Sequence, residues 1–235
     1  SITLNIAKPS GRNMLLDLVE RVDVVVEDFA PGHLASSELD YETLIERKKD
    51  LVLVSVSGFG QDGPYAQYKT PDIVGNAMGG LLYISGDPTM TPCNPPETQS
   101  YYYASLFASY GVMLALWQRE TRGIGAWIDA SIQASMALHE HVAFNYSAEG
   151  RVMKRAGSQH QHNAPANLFQ CKNGWIALFV TQTHWPLLLK LWGDHDPALD
   201  DPKWINSNLR RQHADYINAQ VTSFTSRFLK EDLAE

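Results

Sequence analysis

A glycine-rich loop, residues 57–65, is the segment whose composition points most directly to ligand binding. It has the sequence Ser-Gly-Phe-Gly-Gln-Asp-Gly-Pro-Tyr and directly follows the mostly apolar run Leu51–Val56. Such a run is typical of a strand buried on both faces, and α/β proteins bind ligands in loops at the carboxyl ends of these strands. The lysine and serine or threonine pair of a P-loop is missing. The loop therefore predicts a ligand site that is not a P-loop.

Histidine side chains could supply metal ligands at two places, and neither place has suitable neighbours. His139 and His141 are two positions apart on a predicted helix, so their side chains would point in different directions. His160 and His162 lie in a polar segment without acids close by. The sequence therefore predicts no metal site.

The overall composition is that of a globular protein in a reducing compartment. The 235 residues are 44% hydrophobic and 19% charged, with a net charge of -7. These values exclude wholesale disorder and argue against a nucleic-acid partner, and no apolar stretch approaches the roughly 20 residues of a membrane span. Cys93 and Cys171 are too few for a disulfide framework and lack metal-ligand spacing. We expect a cytoplasmic protein that binds neither nucleic acid nor a membrane. Because the chain is acidic overall, any anionic ligand would have to be bound by donor groups close to its site.

The amino-terminal residues carry neither a signal-peptide pattern nor an initiator methionine. Instead, residues 1–6 alternate in hydrophobicity as a strand does. Because the chain opens inside an element, we expect it to be an internal fragment of a longer protein.

Alternating strand and helix patterns in residues 1–148 predict a parallel α/β sheet. The predicted elements are a strand at Ile2–Ile6, a helix after Pro9, a strand at Val22–Val26, a helix at Tyr41–Arg47, the strand at Leu51–Val56, helices at Asp72–Tyr83 and Thr98–Gln118, and a strand at Trp127–Asp129 followed by a helix through Tyr146. The loops after the strands are expected to meet at one edge of the sheet.

A polar segment, residues 149–165, predicts a linker to a second, smaller α+β domain at residues 166–235. Two strand-like runs, Asn167–Cys171 and Trp175–Val180, flank Asn173-Gly174, which is a strong signal for a hairpin turn. A helix near Leu209–Leu229 is predicted to end the domain.

Several of these segments, taken together and in order, resemble the class III CoA-transferase family, which includes formyl-CoA transferase, carnitine CoA-transferase and the α-methylacyl-CoA racemases. The matching segments are residues 24–32, 57–66, 122–131 and 173–177. The resemblance covers essentially the whole chain, which corresponds to the middle of the longer family members. It implies a large Rossmann-like domain, a small domain and two interlocked subunits.

The resemblance also implies a carboxylate nucleophile, because the family uses an aspartate to attack the acyl-CoA thioester. Counting back from Gly123 and Gly125, that aspartate would fall at Tyr101 or, with the offset of the racemases, at Ser100. Neither residue is an acid. Glu97 is the nearest carboxylate and is our candidate nucleophile, with the alternative that it only stabilises the first turn of the following helix.

The resemblance implies CoA or substrate binding by Lys69, Phe29, Pro31, Gly58, Gly60 and Tyr101. Lys69 matches a lysine that the transferases place near CoA, and its ammonium would neutralise a phosphate. Two family cations are absent, since Ala30 and Ser36 stand where arginines are expected, and Asp28 replaces an asparagine. These departures make an anionic ligand harder to hold.

Other aromatic and acidic residues near this region have two possible roles. Tyr101, Tyr102 and Tyr103 either line an acyl pocket or belong to the core or a subunit interface. Pro71 stands where the racemases need a histidine, so racemase chemistry is not expected. Asp72 is either a helix cap or a site residue.

The leading hypothesis is therefore a protein that moves CoA between an acyl-CoA thioester and a carboxylic acid, with CoA as substrate and no further cofactor. The alternative is a non-catalytic subunit or a degenerate homologue, because the nucleophilic aspartate is replaced. The expected partners are acyl-CoA, small carboxylic acids, and a second copy or a paralogue in a dimer.

Overall fold

The structure is a computed structural model that describes residues 1–138 and 142–234. It divides into two compact units, the first with residues 1–85 and 92–153 and the second with residues 86–91 and the chain from Lys154 onward. The change of unit at Met153 falls within the segment predicted to be a linker. The predicted fold class is confirmed, since the first unit is α/β with a parallel sheet and the second is a smaller α+β unit.

The first unit contains the parallel sheet and the helices that cover it. In chain order its elements are α1 (Pro9–Val19), β1 (Val24–Glu27), α2 (His33–Ser36), α3 (Tyr41–Arg47), β2 (Val52–Ser57), α4 (Asp72–Met78), α5 (Leu81–Ile84), α6 (Gln99–Arg122), β3 (Ala126–Ser131), α7 (Ile132–Ala137) and α8 (Val142–Glu149).

Strand β2 lies in the centre of the three-stranded sheet and pairs in parallel with both β1 and β3. Its side chains alternate between two apolar clusters, as a strand buried on both faces requires. Val52 and Val54 pack in the cluster that includes residues of α6, whereas Leu53 packs in the cluster that includes Val19 of α1. Because all three strands run in the same direction, their carboxyl ends meet at one edge.

The strand predicted at Ile2–Ile6 is wrong. No residue of the described chain pairs with this segment, and it forms a turn in which Asn5 accepts hydrogen bonds from two backbone N–H groups, Ala7 at 3.1 Å and Lys8 at 3.2 Å. Gly11 permits the close approach of this turn to α1, since a Cβ atom there would lie 2.0 Å from the Asn5 carbonyl oxygen. The alternation of apolar residues was therefore not a strand signal here.

The single helix predicted at Asp72–Tyr83 is also wrong, because α4 and α5 are separated at Gly79 and Gly80. Gly80 has a φ of 93°, a conformation that glycine adopts without steric cost. A Cβ atom at Gly79 would lie 2.2 Å from the Cβ atom of Met136, so this glycine lets α7 approach closely.

The second unit begins its regular structure with an antiparallel hairpin. Its elements are β4 (Ala166–Cys171), β5 (Gly174–Phe179), α9 (Trp185–Trp192), two short 3₁₀ helices (Pro197–Asp200 and Pro202–Ile205), α10 (Ser207–Gln212), α11 (Ala214–Thr225) and α12 (Lys230–Ala234). Cys171 pairs with Gly174, so the turn residues are Lys172 and Asn173, one position earlier than predicted. The predicted helix at Leu209–Leu229 is interrupted at His213, whose ring packs edge-on against Trp204 with the centroids 5.5 Å apart.

The centre of the second unit contains a fully buried arginine, Arg210. Its guanidinium group donates hydrogen bonds to five backbone carbonyl groups, those of Ala164, Val180, Thr181, Trp204 and Ile205. It also lies over the ring of Trp185, at 4.8 Å from the centroid. Burial lowers the pKa of Arg210 to about 10, so the group is charged at neutral pH. It connects three segments of backbone, at residues 164, 180–181 and 204–205.

None of the helices in residues 1–138 and 142–234 is both long and apolar enough to cross a membrane.

Candidate ligand-binding site

A cavity of about 700 Å³ opens at the edge of the sheet where β1 and β2 end. Phe29, Pro31, Gly58, Lys69 and Tyr101 all line it. They come from the loop after β1, the end of β2, the segment before α4 and the first turn of α6. The parallel sheet and α6 thus bring together residues that are up to 72 positions apart in the chain.

Gly58 allows the two loops of the cavity to touch. A Cβ atom at this position would lie 1.9 Å from the Oγ1 atom of Thr70, so a side chain here would push Thr70 away. The Thr70 carbonyl oxygen in turn accepts a hydrogen bond from the Tyr101 hydroxyl group at 3.2 Å. Gly58 and Tyr101 therefore hold the segment that precedes α4 against the sheet, with Lys69 next to it.

Gly60 does not belong to the lining of the cavity, although it shapes the same loop. Its φ is 92°, and a Cβ atom there would lie 3.2 Å from the Oδ2 atom of Asp129 on β3. The same Asp129 oxygen accepts a hydrogen bond from the backbone N–H of Gln61 at 2.8 Å. Sequence reasoning missed this role of Asp129, for which the available signal was an acid at the end of a predicted strand.

The first turn of α6 is held by a carboxylate from another helix. Asp72 Oδ1 accepts hydrogen bonds from the backbone N–H of Ser100 at 2.9 Å and from its hydroxyl group at 2.8 Å. Asp72 Oδ2 accepts from the side-chain amide of the buried Asn76 at 2.8 Å, and the same amide donates to Asn94 at 3.0 Å. Ser100 is fully buried and Asp72 acts as a cap, but of α6 and not of its own helix.

Glu97, our candidate nucleophile, is exposed and lies just before α6. Its backbone φ is 62°, and its carboxylate accepts a hydrogen bond from the hydroxyl group of Tyr102 at 3.4 Å. Glu97 is not among the residues that line the cavity. A catalytic role for it stays a prediction.

The charges that line the cavity are those of Lys69, Glu27 and Asp28. Lys69 and Asp28 are exposed, whereas Glu27 is buried and accepts a hydrogen bond from the backbone N–H of Phe29 at 2.8 Å. Within the described part of the chain, Lys69 forms no ion pair with an acid. Its ammonium group is therefore available to an anionic ligand.

Aromatic residues cluster at one side of the cavity. The rings of Phe59, Tyr65 and Tyr68 lie near each other, with centroids 5.4 to 6.4 Å apart. Tyr68 lines the cavity, as do Phe29 and Tyr101, and all three side chains are exposed. Of the three consecutive tyrosines considered from the sequence, the cavity contains Tyr101.

Two of the four histidines considered as metal ligands, His160 and His162, lie within the described residues. His139 and His141 lie outside the described residues. The rings of His160 and His162 are 6.1 Å apart, and the backbone N–H of His162 donates to the His160 ring at 3.2 Å. Among the residues that the structure describes, no group of three or more His, Cys, Asp or Glu side chains is arranged to hold a metal ion.

Two proteins from Chloroflexus aurantiacus are similar to the chain. A succinyl-CoA--D-citramalate CoA-transferase is 30% identical over 236 residues, which cover 99% of this chain and 58% of that protein. The beta subunit of a succinyl-CoA--L-malate CoA-transferase is 30% identical over 245 residues, which cover 100% of this chain and 59% of that protein. The chain thus spans less than two thirds of the length of these relatives.

A solved structure shows the same fold. It is a CAIB/BAIF family protein from Brucella suis, with a TM-score of 0.77 and 28% sequence identity, and the match covers 100% of this chain and 62% of that protein. The family model described as CoA-transferase family III matches residues 1–235. The family model over the whole chain, the sequence matches and the fold agree, and the chain belongs to CoA-transferase family III.

Proposed function

We propose that this chain binds an acyl-CoA thioester in the cavity at the sheet edge and takes part in moving CoA to a carboxylic acid. The observation that carries this proposal is that Phe29, Pro31, Gly58, Lys69 and Tyr101 line one cavity. These residues are the ones for which the family resemblance implies contact with CoA or substrate, apart from Gly60 in the adjoining loop. The relatives from Chloroflexus, a CoA-transferase and the beta subunit of a CoA-transferase, support the same reaction class.

Lys69 supplies the test of binding. Its exposed ammonium group has no acidic partner in the described residues, so we expect it to contact a phosphate of CoA. Lys69→Ala should weaken butyryl-CoA binding by about three- to tenfold, the size of one charge contact near a protein surface. Isothermal titration calorimetry measures this change.

Lys49→Ala is the matched control for this experiment. Lys49 is an exposed lysine just before β2, so it lies at the amino end of the strand whose carboxyl end borders the cavity. The affinity of Lys49→Ala for butyryl-CoA should equal that of the parent protein. Equal affinities of Lys69→Ala and the parent would contradict the proposed contact.

In the proposed reaction a protein carboxylate attacks the thioester carbonyl carbon, forming a mixed anhydride and releasing the CoA thiolate. The thiolate then attacks the protein carbonyl of that anhydride, which gives a protein-bound CoA thioester and the free donor acid. The acceptor carboxylate attacks this thioester to form a second anhydride and release the thiolate again. Attack of the thiolate on the acceptor carbonyl yields the new acyl-CoA and restores the protein carboxylate.

We propose Glu97 as the carboxylate, with its position two residues before the start of α6 as support. Incubation with butyryl-CoA and hydroxylamine should convert the reacting glutamate into a hydroxamate, which peptide mass spectrometry locates. Modification of Glu27 or Asp28, the acids that line the cavity, would instead assign the nucleophile to one of them. The Glu97→Gln variant is the negative control for adduct formation at Glu97.

A second candidate function is that of a CoA-ester-binding subunit without its own nucleophile. Tyr101 occupies the position where the family resemblance implies the aspartate, and its hydroxyl group is engaged with the Thr70 carbonyl oxygen. Binding of butyryl-CoA without any hydroxamate would favour this function. Restoration of transfer activity by a homologue that carries the aspartate would then identify the catalytic partner.

We also propose that the protein works in the cytoplasm as a homodimer or as a heterodimer with a paralogue. The free thiols of Cys93 and Cys171 are consistent with a reducing compartment, and one of the relatives is named as a beta subunit. Sedimentation equilibrium of the purified protein, alone and with a paralogue, measures the assembly state.

A further inference from the structure

The hydroxyl group of Ser57 is buried in the wall of the cavity and has no hydrogen-bond partner among the described residues. Ser57 is the last residue of β2, is 5% exposed and lines the cavity. Five other described residues contain a buried side-chain nitrogen or oxygen atom without a partner, and none of these five lines this cavity. Because buried polar side chains are nearly always paired, an unpaired one at a binding site points to a contact that forms with the ligand.

The nearest hydroxyl groups on the sheet have partners within the protein. Ser55, two residues earlier on the same face of β2, accepts a hydrogen bond from the indole N–H of Trp127 at 3.0 Å. Ser131, the residue of β3 that pairs with Ser57, accepts one from the backbone N–H of Ala134 at 3.2 Å. The fold therefore supplies partners for the hydroxyl groups around Ser57 but not for that of Ser57 itself.

Ser57 and Lys69 differ in burial, and this difference separates the groups that each can bind. Lys69 is exposed on the segment before α4, whereas Ser57 is buried at the end of the central strand. A phosphate beside an exposed ammonium group keeps part of its hydration, but moving its charge to a buried position costs far more than moving a neutral amide. A buried hydroxyl group is therefore suited to a neutral partner, and CoA carries amide groups between its phosphates and its thiol.

We propose that the Ser57 hydroxyl group donates a hydrogen bond to an amide carbonyl of the pantetheine arm of CoA esters. The inference rests on the proposed function, because it requires a CoA ester in this cavity. Rotation about the Cα–Cβ bond is enough to direct the Ser57 hydroxyl group to a ligand atom. Ser57 thus contributes to the affinity for the ligand and not to the stability of the free protein.

Replacement of Ser57 tests this division. Ser57→Ala should weaken butyryl-CoA binding by about three- to tenfold in calorimetric titration, the effect of one neutral hydrogen bond. The melting temperature of the free variant should equal or exceed that of the parent, because no hydrogen bond within the protein is lost. Ser57→Cys keeps nearly the same side-chain volume with only a weak donor, and should lose affinity as Ser57→Ala does. Parent-like affinity of both variants would overturn the inference.

Ser55→Ala is the matched control and should give the opposite result. Ser55 is also buried on β2 but does not line the cavity, and its replacement removes the acceptor of the Trp127 indole N–H. The melting temperature of the free protein should fall by about 2–4 °C, with butyryl-CoA affinity unchanged. If Ser55→Ala weakened binding as much as Ser57→Ala, the loss would come from the strand and the assigned contact would be wrong.

The nucleotide part of CoA, adenosine 3′-phosphate 5′-diphosphate, locates the contact along the ligand. This fragment lacks the pantetheine arm, so Ser57→Ala should bind it as tightly as the parent does, whereas Lys69→Ala should bind it more weakly. An equal loss of affinity of Ser57→Ala for the fragment and for butyryl-CoA would refute the pantetheine contact. Failure of the parent protein to bind butyryl-CoA would instead refute the proposed function itself.

Discussion

The carboxylate of Asp72 accepts a hydrogen bond from the backbone N–H of Ser100, 28 residues farther along the chain, at 2.9 Å. Thr98, which directly precedes α6, provides no side-chain cap for this helix, and the first turn contains no acid. Asp72 therefore supplies, from α4, the negative group that helix N-termini favour. Since Tyr101 follows Ser100, the same contact sets where α6 begins and where Tyr101 enters the cavity.

Replacement of Asp72 by alanine should destabilise the protein by about 1–3 kcal/mol. The change removes the acceptor for the N–H and O–H groups of Ser100 and for the amide of Asn76, which are buried. Urea unfolding followed by circular dichroism gives the free energy of unfolding. Asp72→Asn keeps an acceptor oxygen and should therefore lose less stability than Asp72→Ala.

Glu120→Ala is the control for Asp72→Ala, because Glu120 is an exposed acid near the other end of α6. Its free energy of unfolding should stay within about 0.5 kcal/mol of the parent value. If both variants were equally stable, Asp72 would have no capping role.

Gly58→Ala should destabilise the protein by about 1–3 kcal/mol and weaken CoA-ester binding, since the added Cβ atom would overlap Thr70. Differential scanning calorimetry measures the first effect and titration of butyryl-CoA the second. Because the clash involves the Thr70 side chain, the double variant Gly58→Ala/Thr70→Gly should recover part of the lost stability. If Gly58→Ala alone had the melting temperature of the parent, the two loops would separate without loss of stability, which would contradict the prediction.

Arg210→Met should destabilise the second unit by about 3 kcal/mol or more, because five carbonyl groups would lose the guanidinium group as a donor and three of these hydrogen bonds are buried. Arg210→Lys should rescue only part of this loss, since an ammonium group cannot reach the same set of acceptors as the planar guanidinium group. Intrinsic tryptophan fluorescence during urea unfolding reports on this unit, where Trp185 lies against the Arg210 side chain. Lys190→Met, an exposed position on α9, serves as the control and should unfold as the parent does.

The cap of α3 should make a small part of the stability dependent on pH. Asp40 accepts a hydrogen bond from the backbone N–H of Thr43 at 2.8 Å, and this bond lowers the pKa of Asp40 below its usual value of 3.8. The ionised Asp40 side chain therefore contributes fully to the free energy of unfolding above pH 3.8. This contribution is lost as the pH falls through the lower pKa that Asp40 has in the folded state. Relative to Asp40→Asn, the parent should be more stable by less than about 1 kcal/mol at pH 6, and this difference in the free energy of unfolding should shrink as the pH falls below 3.8. A difference that grows on acidification would contradict this sign.

Local sequence patterns were sufficient for the elements that dominate the first unit. The apolar run before Gly58 predicted β2, the bounds of α3 agree with the predicted Tyr41–Arg47, and Gly123 marks the end of α6. These features depend on neighbours within a few positions of the chain. The alternation at Ile2–Ile6 failed because a strand also requires a hydrogen-bonded neighbour, which the pattern does not encode.

The cavity was less accessible to sequence reasoning because its contacts join distant residues. Asp129 supports Gln61 across 68 positions, and Asp72 supports Ser100 across 28. Neither pair has a local signature. The importance of Lys69 came from the family resemblance and not from its immediate surroundings in the sequence.

Strand β2 connects the cavity to the way the first unit folds. The lining extends from Val26 to Ile132, so the cavity exists only after strands separated by most of this unit have paired. A compound that occupies the cavity binds the folded chain alone and stabilises it by RT ln(1 + [L]/Kd). The resistance of this unit to unfolding and proteolysis will consequently follow the concentration of its ligand, so that the amount of intact protein reports on metabolite supply.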